Sequence, residues 1–180
     1  MADRMYITPS EYRALPLGGV KNLGLKGDEI LEHYIAIATA NAEAFTERIF
    51  TSQEYTEVFR GDDSATFLTD NYPITKVTEI KQAVSGTTID ANAIVATTIN
   101  MNCGKIELLS STFSSGTIYS IKYTAGYISV PIVVKHAVAL WVTELLQPDY
   151  LGPTEGQPDL VALSSQQISD LLTPLRRRRI

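Results

Sequence analysis

Thr117-Ile-Tyr-Ser-Ile-Lys-Tyr123 is the stretch that decides the fold, because its apolar and polar residues alternate. The alternate residues from Tyr119 to Tyr123 fall on one face, which is the period of two typical of a half-buried β-strand. Gly126 follows and predicts a turn, since glycine adopts a positive φ at little cost. Ser129-Val-Pro131 then offers an N-cap and a proline for a first helical turn. The sequence therefore predicts a strand that leads through a turn into a helix.

The helix predicted from Pro131 to Gln147 is the most apolar in the sequence. A helix that is apolar nearly all round is normally buried at the centre of a fold. We therefore expect Trp141 and Leu145 to lie in the core. The run is shorter than the roughly 20 apolar residues that a bilayer requires, and it contains Lys135 and Glu144. A transmembrane helix is therefore not expected.

An amphipathic helix is predicted from Glu29 to about Ile49, with Asp28 as its N-cap. Its expected buried face, which should pack against the apolar helix, consists of Ile30, Tyr34, Ile37, Ala38, Phe45 and Ile49. Upstream, Thr8-Pro-Ser-Glu11 has the pattern of a capping box and predicts a short helix to about Leu15. The loop from Pro16 to Gly27 lacks the Gly-Lys-Ser/Thr ending of a phosphate-binding loop and is interpreted as a connector.

The middle of the chain has the composition of β-structure. Segments 54–60 and 65–68 flank the turn residues Gly61 to Ser64, which predicts a hairpin. Segment 74–84 predicts a further strand, and segments 94–101 and 105–109 predict an antiparallel pair. The predicted fold class is α+β, with two long helices, short terminal helices, a central antiparallel β meander and an extended C-terminal arm. Residues 1–147 form the expected body, with the β insertion at 53–123, and residues 148–180 form the arm.

The arm begins with a stretch rich in proline and glycine and ends in four consecutive arginines. Ser164 to Gln167 has the pattern of a second capping box and predicts a short helix to Pro174. The expected docking residues of this arm are Ile168, Leu171, Leu172, Leu175, Arg176, Arg177, Arg178 and Arg179. The arginines allow two interpretations, a solvated tail or a segment that docks on an acidic protein surface or on nucleic acid.

The charge balance argues against an ordinary nucleic-acid-binding domain. The chain has 15 basic and 20 acidic residues, a net charge of −5. Without Arg176 to Arg179, 11 basic residues remain against 20 acidic ones, a net charge of −9. A DNA-binding domain carries its basic residues on a face of the folded body. We therefore expect only weak binding to duplex DNA.

The residues that could support catalysis or metal binding are few. His33 and His136 are the only histidines, and no His/Glu spacing typical of a metal site surrounds them. Cys103 is the only cysteine, so it can form neither a disulfide within the chain nor a cysteine metal cluster. The carboxylates at Glu57, Asp62 and Asp63 lack a cation-loop pattern. No catalytic, cofactor or metal site is therefore expected.

Several segments of the chain occur in a recognisable order. They are the Ala-rich helix from Asp28 to Phe50, Tyr55-Thr-Glu-Val-Phe59, Phe67-Leu68, Tyr72-Pro-Ile-Thr-Lys-Val77, Gly104-Lys-Ile-Glu-Leu108, Tyr123-Thr-Ala-Gly-Tyr127, Val130-Pro131 with Lys135-His-Ala-Val-Ala-Leu-Trp141, and Leu171-Leu-Thr-Pro-Leu-Arg-Arg177. Over residues 6–178, this order resembles the head-tail connector (adaptor) proteins of tailed bacteriophages. In that family a core of packed helices often carries a β-rich insertion.

The resemblance implies a structural protein of the virion and not an enzyme. Such proteins form a ring, usually of twelve copies, beneath the portal protein, and the ring joins the DNA-filled head to the tail. The implied partners are the portal protein, neighbouring copies of the chain, a downstream tail or stopper protein, and DNA as non-specific cargo in transit, with no membrane. The Ser/Thr-rich sheet also leaves open a tail-associated or surface-binding module with a β-rich recognition face.

Overall fold

The computed structural model describes residues 4–15, 27–89, 94–96, 104–108, 111–150 and 160–177. Its helices are α1 (Pro9–Ala14), α2 (Asp28–Thr46), α3 (Ile132–Tyr150) and α4 (Leu160–Leu172), with a 3-10 turn at Thr173–Leu175. Its strands are β1 (Gln53–Arg60), β2 (Thr66–Leu68), β3 (Ile74–Gln82), β4 (Thr88–Ile89), β5 (Ile94–Ala96), β6 (Lys105–Leu108) and β7 (Ile118–Ala125). The predicted α+β class is confirmed. The chain forms a helical unit, residues 1–48 and 130–180, and a β unit, residues 49–129.

Helix α3 is the centre of the helical unit and packs against α2 and α4. Its fully buried residues are Val134, Ala137, Val138, Ala139, Val142 and Leu146. Trp141 and Leu145 are half-buried. The first turn is open, since Ile132 is 73% exposed. The helix is thus buried along one side and not all round. No helix among the described residues is both long enough and apolar enough to cross a membrane.

The buried face of α2 is not the one that the sequence suggested. Leu31, Ile35, Ala38 and Ala42 are fully buried, whereas Ile30 is 46% exposed. Of the six residues predicted to form the buried face, only Ala38 is fully buried, so the predicted buried face is wrong. The cause is that α2 carries apolar residues on two sides, so that helical spacing alone does not select the side facing α3.

The ends of α2 also differ from expectation. Gly27 is the N-cap and makes no side-chain capping bond, so the prediction of Asp28 as the cap is wrong. Asp28 is the first helical residue and instead forms an ion pair with Arg13. At the other end Glu47 adopts the left-handed conformation with φ 54°, which ends the helix at Thr46.

The capping box of α1 is confirmed. The Thr8 hydroxyl accepts a hydrogen bond from the Glu11 amide, and the Glu11 carboxylate accepts one from the Thr8 amide. The same carboxylate receives Lys135 Nζ from α3 at 2.7 Å, and this hydrogen bond is the main reason that the pKa of Glu11 is lowered. The Tyr12 hydroxyl and Thr143 Oγ1 lie 2.9 Å apart. Polar contacts therefore hold α1 against α3.

The β unit contains two antiparallel sheets, with strand orders β1-β7-β3-β4 and β2-β6-β5. The predicted alternation in β7 is confirmed, because Tyr119, Ile121 and Tyr123 are buried. The predicted pairing of segments 94–101 and 105–109 is confirmed in β5 and β6, where Ile94 lies opposite Leu108. The predicted hairpin of 54–60 with 65–68 is wrong.

The two strands of the expected hairpin join different sheets, since β1 pairs with β7 and β2 pairs with β6. Gly61 to Ser64 carries the chain between the sheets, and its first amide donates to the Thr117 carbonyl at 2.9 Å. Phe59 at the end of β1 stacks on Phe67 of β2, with ring centroids 3.7 Å apart. It also contacts the rings of Phe113 and Tyr119. The contacts with Phe113 and Tyr119, which lie far along the chain from Phe59, favour the pairing of β1 with β7.

The Tyr123 hydroxyl provides a pH-dependent contribution to the stability of the β unit. It donates to Glu57, whose carboxylate also accepts the Asp70 amide at 3.1 Å. Burial, and then the Glu57 carboxylate, raise the pKa of Tyr123 above its ordinary value of 10.0. Neutral tyrosine is thus favoured in the fold. Its contribution is complete below pH 10 and decreases as the pH rises towards the folded pKa.

We expect Tyr123→Phe to lower the free energy of unfolding by about 1 to 2 kcal/mol at pH 7, because a hydrogen bond to a carboxylate is lost. The substitution should also reduce the decline in stability above pH 10. Urea denaturation between pH 7 and pH 11 measures both effects. A decline of the same steepness in the variant would contradict the assignment to Tyr123.

Candidate docking surfaces

The C-terminal segment, defined as residues 160–177, combines buried and exposed side chains. Helix α4 packs against α3, and Ile168 and Leu172 are 3% and 0% exposed. Leu171 and Leu175 are half-buried, and Arg176 is exposed. Arg178 and Arg179 lie outside the described residues. Ile168 and Leu172 thus hold the segment to its own subunit, whereas Leu171, Leu175 and Arg176 are accessible.

The helix of this segment begins earlier than predicted. It starts at Leu160, so Ser164 lies inside the helix and the predicted second capping box is wrong. The pattern of Ser164 and Gln167 occurs by coincidence within a longer helix. Leu160 to Leu163 continue the apolar run, which is the signal that extends the helix towards its N-terminus.

The segment is fixed to the C-terminal end of α2 by two hydrogen bonds. The Arg177 amide donates to the Thr46 carbonyl at 2.8 Å, and Arg48 Nη1 donates to the Leu175 carbonyl at 3.0 Å. The first bond satisfies one of the carbonyls that a helix end leaves without an intrahelical partner. Arg48 is itself only 8% exposed. The start of the arginine run is therefore held at a defined position.

Arg176 contributes charge at the same place. Its Nη2 atom lies 3.6 Å from Glu47 Oε1, and its guanidinium lies 6.0 Å from the centre of the Phe45 ring. A cation at a helix C-terminus also interacts favourably with the helix dipole. The Arg176 side chain nevertheless remains 59% exposed. It can therefore pair with a partner without leaving this position.

An apolar groove of about 540 Å³ opens in the helical unit among α1, α3 and α4. Ile132, Val133 and Leu171 supply part of its apolar wall, and the ion pair of Lys135 with Glu11 lies on its lining. The signal in the sequence was the pair of large apolar residues directly after Pro131. Sequence analysis interpreted these residues as buried core and thus missed the groove.

The structure assigns structural roles to the candidate carboxylates. Glu57 binds Tyr123 and the Asp70 amide, while Asp62 and Asp63 accept backbone amides of Ser64 and Ser115. No group of three or more His, Cys, Asp or Glu residues suited to a metal occurs in the described part of the chain. His33 and His136 are both exposed. Cys103 lies outside the described residues.

The chain matches one family model and several solved structures. A family model described as "Head completion protein" matches residues 7–151. A search of curated proteins finds no match. Three of the solved structures that match are chains of gene transfer agent (GTA) particles.

A chain of the virion of a native GTA particle is similar, with a TM-score of 0.63 and 19% identity over 97% of this chain and 94% of that one. A chain of the neck of a native particle with C12 symmetry has a TM-score of 0.59 and 19% identity, covering 85% of each chain. A chain of the neck of an empty particle with C6 symmetry has a TM-score of 0.60 and 19% identity, covering 86% of this chain and 81% of that one. These similarities establish the shared fold. With the family match over most of its length, the chain belongs to the head completion protein family, and its role is the structural one of a head–tail connector.

Proposed function

We propose that the protein forms a ring in the neck of a phage-like virion, where it joins the portal of the DNA-filled head to the tail. The single observation that carries this proposal is the family match over residues 7–151. The likeness to chains from GTA necks of C12 and C6 symmetry supports a ring. A ring of twelve copies, one for each portal subunit, agrees with both symmetries.

The C-terminal segment, together with the arginines that follow it, is the proposed portal contact. Leu171 and Leu175 supply apolar area, and Arg176 to Arg179 supply cations for carboxylates of the portal. Arginine suits this role because its planar guanidinium can bind a carboxylate through two parallel hydrogen bonds. Ile168 and Leu172 support the segment from within the subunit, where both are buried. The partner on the other side of the ring is a tail or stopper protein.

The interior of the ring would serve as the DNA conduit. Apart from Arg176 to Arg179, the chain has a net charge of −9. A lumen of that sign repels phosphates and keeps DNA from adhering to the wall as it passes. Conduction of DNA in this sense requires no catalytic residue.

Reversing the charge of two arginines tests the portal contact. We expect Arg178→Glu with Arg179→Glu to weaken binding to isolated portal rings at least roughly tenfold, because like charges across an interface cost several kcal/mol. Native mass spectrometry of the mixture measures the bound copies. Lys76→Glu with Lys105→Glu changes the net charge equally and should bind like the wild type. Equal portal occupancy for both double variants would exclude the arginines from the contact.

A further inference from the structure

The β unit exposes apolar residues beside an unpaired cation on the outer face of its four-stranded sheet. Val58 of β1 is 64% exposed and Ile118 of β7 is 36% exposed. Arg60 lies directly opposite Ile118 in the sheet and is exposed. Among the described residues Arg60 forms no ion pair. We name Val58, Arg60 and Ile118 the sheet patch.

Two ion pairs lie beside the sheet patch. On the same face Lys122 pairs with Glu54 at 2.8 Å, and Lys81 pairs with Glu79 at 3.3 Å. Each of these pairs is neutral in itself, whereas the charge of Arg60 is not compensated by an ion pair with any described residue. A protein with a net charge of −5 therefore presents a local patch of the opposite sign, which favours an acidic partner.

The first half of α2 presents the complementary chemistry. Glu29, Glu32 and His33 are exposed beside Ile30, which is 46% exposed. Asp28 is neutralised by Arg13, but neither Glu29 nor Glu32 forms an ion pair with any residue that the structure describes. We name Glu29, Ile30 and Glu32 the helix patch. Ile30 belongs to the apolar side of α2 that is not fully buried.

We propose that the sheet patch of one copy binds the helix patch of the next copy around the ring. This inference rests on the ring of the proposed function. A contact between two different surfaces of identical chains is heterologous, and when its rotation closes, such a contact generates a ring. Ile30 packs beside Val58 and Ile118, and the Arg60 guanidinium binds the carboxylates of Glu29 or Glu32. The apolar contacts supply affinity, whereas the charges set orientation and exclude like-to-like pairing.

Cysteine crosslinking distinguishes this contact from other modes of association. In a Cys103→Ser background, Ile30→Cys and Val58→Cys are introduced singly and together, and concentrated protein is oxidised. The double variant should give a ladder of disulfide-linked dimers, trimers and higher species on a non-reducing gel. Each single variant can give dimers at most, because it has one thiol. Thermal melting followed by circular dichroism verifies that all variants are folded.

Charge reversal in the double-cysteine protein tests the electrostatic part. Arg60→Glu should reduce the species above the dimer at least roughly tenfold, and adding Glu29→Arg with Glu32→Arg should restore them. Lys105→Glu, on the other sheet, is the matched control and should leave the ladder unchanged.

Three results would overturn the inference in distinguishable ways. If wild-type protein forms rings by native mass spectrometry at the same concentration and no ladder appears, the patches are not the contact and the ring stands. If no ladder appears and the wild type also remains monomeric, the self-assembled ring is overturned together with the inference. Closure of both cysteines within one monomer, without a ladder, likewise counts against the contact.

Discussion

Gly126→Ala should lower the free energy of unfolding by about 3 kcal/mol or more. This is the loss expected when backbone strain at one position is combined with a steric clash. Gly126 has a φ of +112°, a conformation that side chains rarely adopt. A Cβ atom there would lie 2.4 Å from the Thr51 carbonyl oxygen, which is backbone and cannot rotate away. The Gly126 amide also donates to the Pro73 carbonyl at 2.9 Å. Relief of the clash would therefore disturb a hydrogen bond at the end of the central strand.

Gly86→Ala is the matched control for this prediction. Gly86 also has a positive φ, +70°, but a Cβ atom there meets no atom of the described residues within 4 Å. It should cost only the intrinsic penalty of about 1 to 2 kcal/mol. Urea denaturation of the three proteins measures both losses. Equal losses for the two variants would show that the close approach of Thr51 contributes nothing.

Leu172→Ala should cost about 2 to 5 kcal/mol, which is usual when a buried leucine is truncated. Leu172 is fully buried although it lies eight residues from the end of the chain. Leu175→Ala, at a half-buried position, should cost less than about 1 kcal/mol, because partly exposed substitutions are mild. For portal binding, the proposed contact predicts the opposite order. Folded Leu175→Ala protein should bind portal rings more weakly than folded Leu172→Ala protein.

Thermal and urea unfolding of both variants verify the stability order, and native mass spectrometry with portal rings verifies the binding order. A stability loss at Leu172 as small as that at Leu175 would mean that α4 detaches from α3 in solution. Removing all of α4 is a poor test of portal binding, because the deletion would uncover part of the core of the helical unit.

The sequence was a good guide where local and distant interactions agree. Alternation in β7 predicted its buried face, and the residue types from Thr8 to Glu11 predicted the capping box of α1, since both signals are complete within a few residues. The sequence was misleading where the local preference of turn residues competes with packing against distant residues. Gly61 to Ser64 is suited to a tight turn, but the contacts of Phe59 with Phe113 and Tyr119 favour the pairing of β1 with β7.

The candidate surfaces were less predictable than the fold. Helix α2 has apolar residues on two sides, and only its packing against the other helices determines that Leu31 and Ile35 are buried while Ile30 remains exposed. The composition of the C-terminal segment indicated docking. The sequence pattern could not show that Ile168 and Leu172 are buried within their own subunit while Leu171 and Leu175 are only half-buried. The attachment of Arg177 to Thr46 depends on residues 131 positions apart, a relation that no local pattern contains.

The division of the helical unit into residues 1–48 and 130–180, around a β unit that is continuous from 49 to 129, sets an order of events during synthesis. All the strands that the structure describes lie between residues 49 and 129, so the β unit is complete in the chain once these residues have left the ribosome. Helix α2 must wait for α3, because the core that they share is assembled from both ends of the chain. Helix α2 therefore keeps its apolar face uncovered while the β unit is being translated. Chaperone binding to nascent chains should accordingly fall only after α3 emerges.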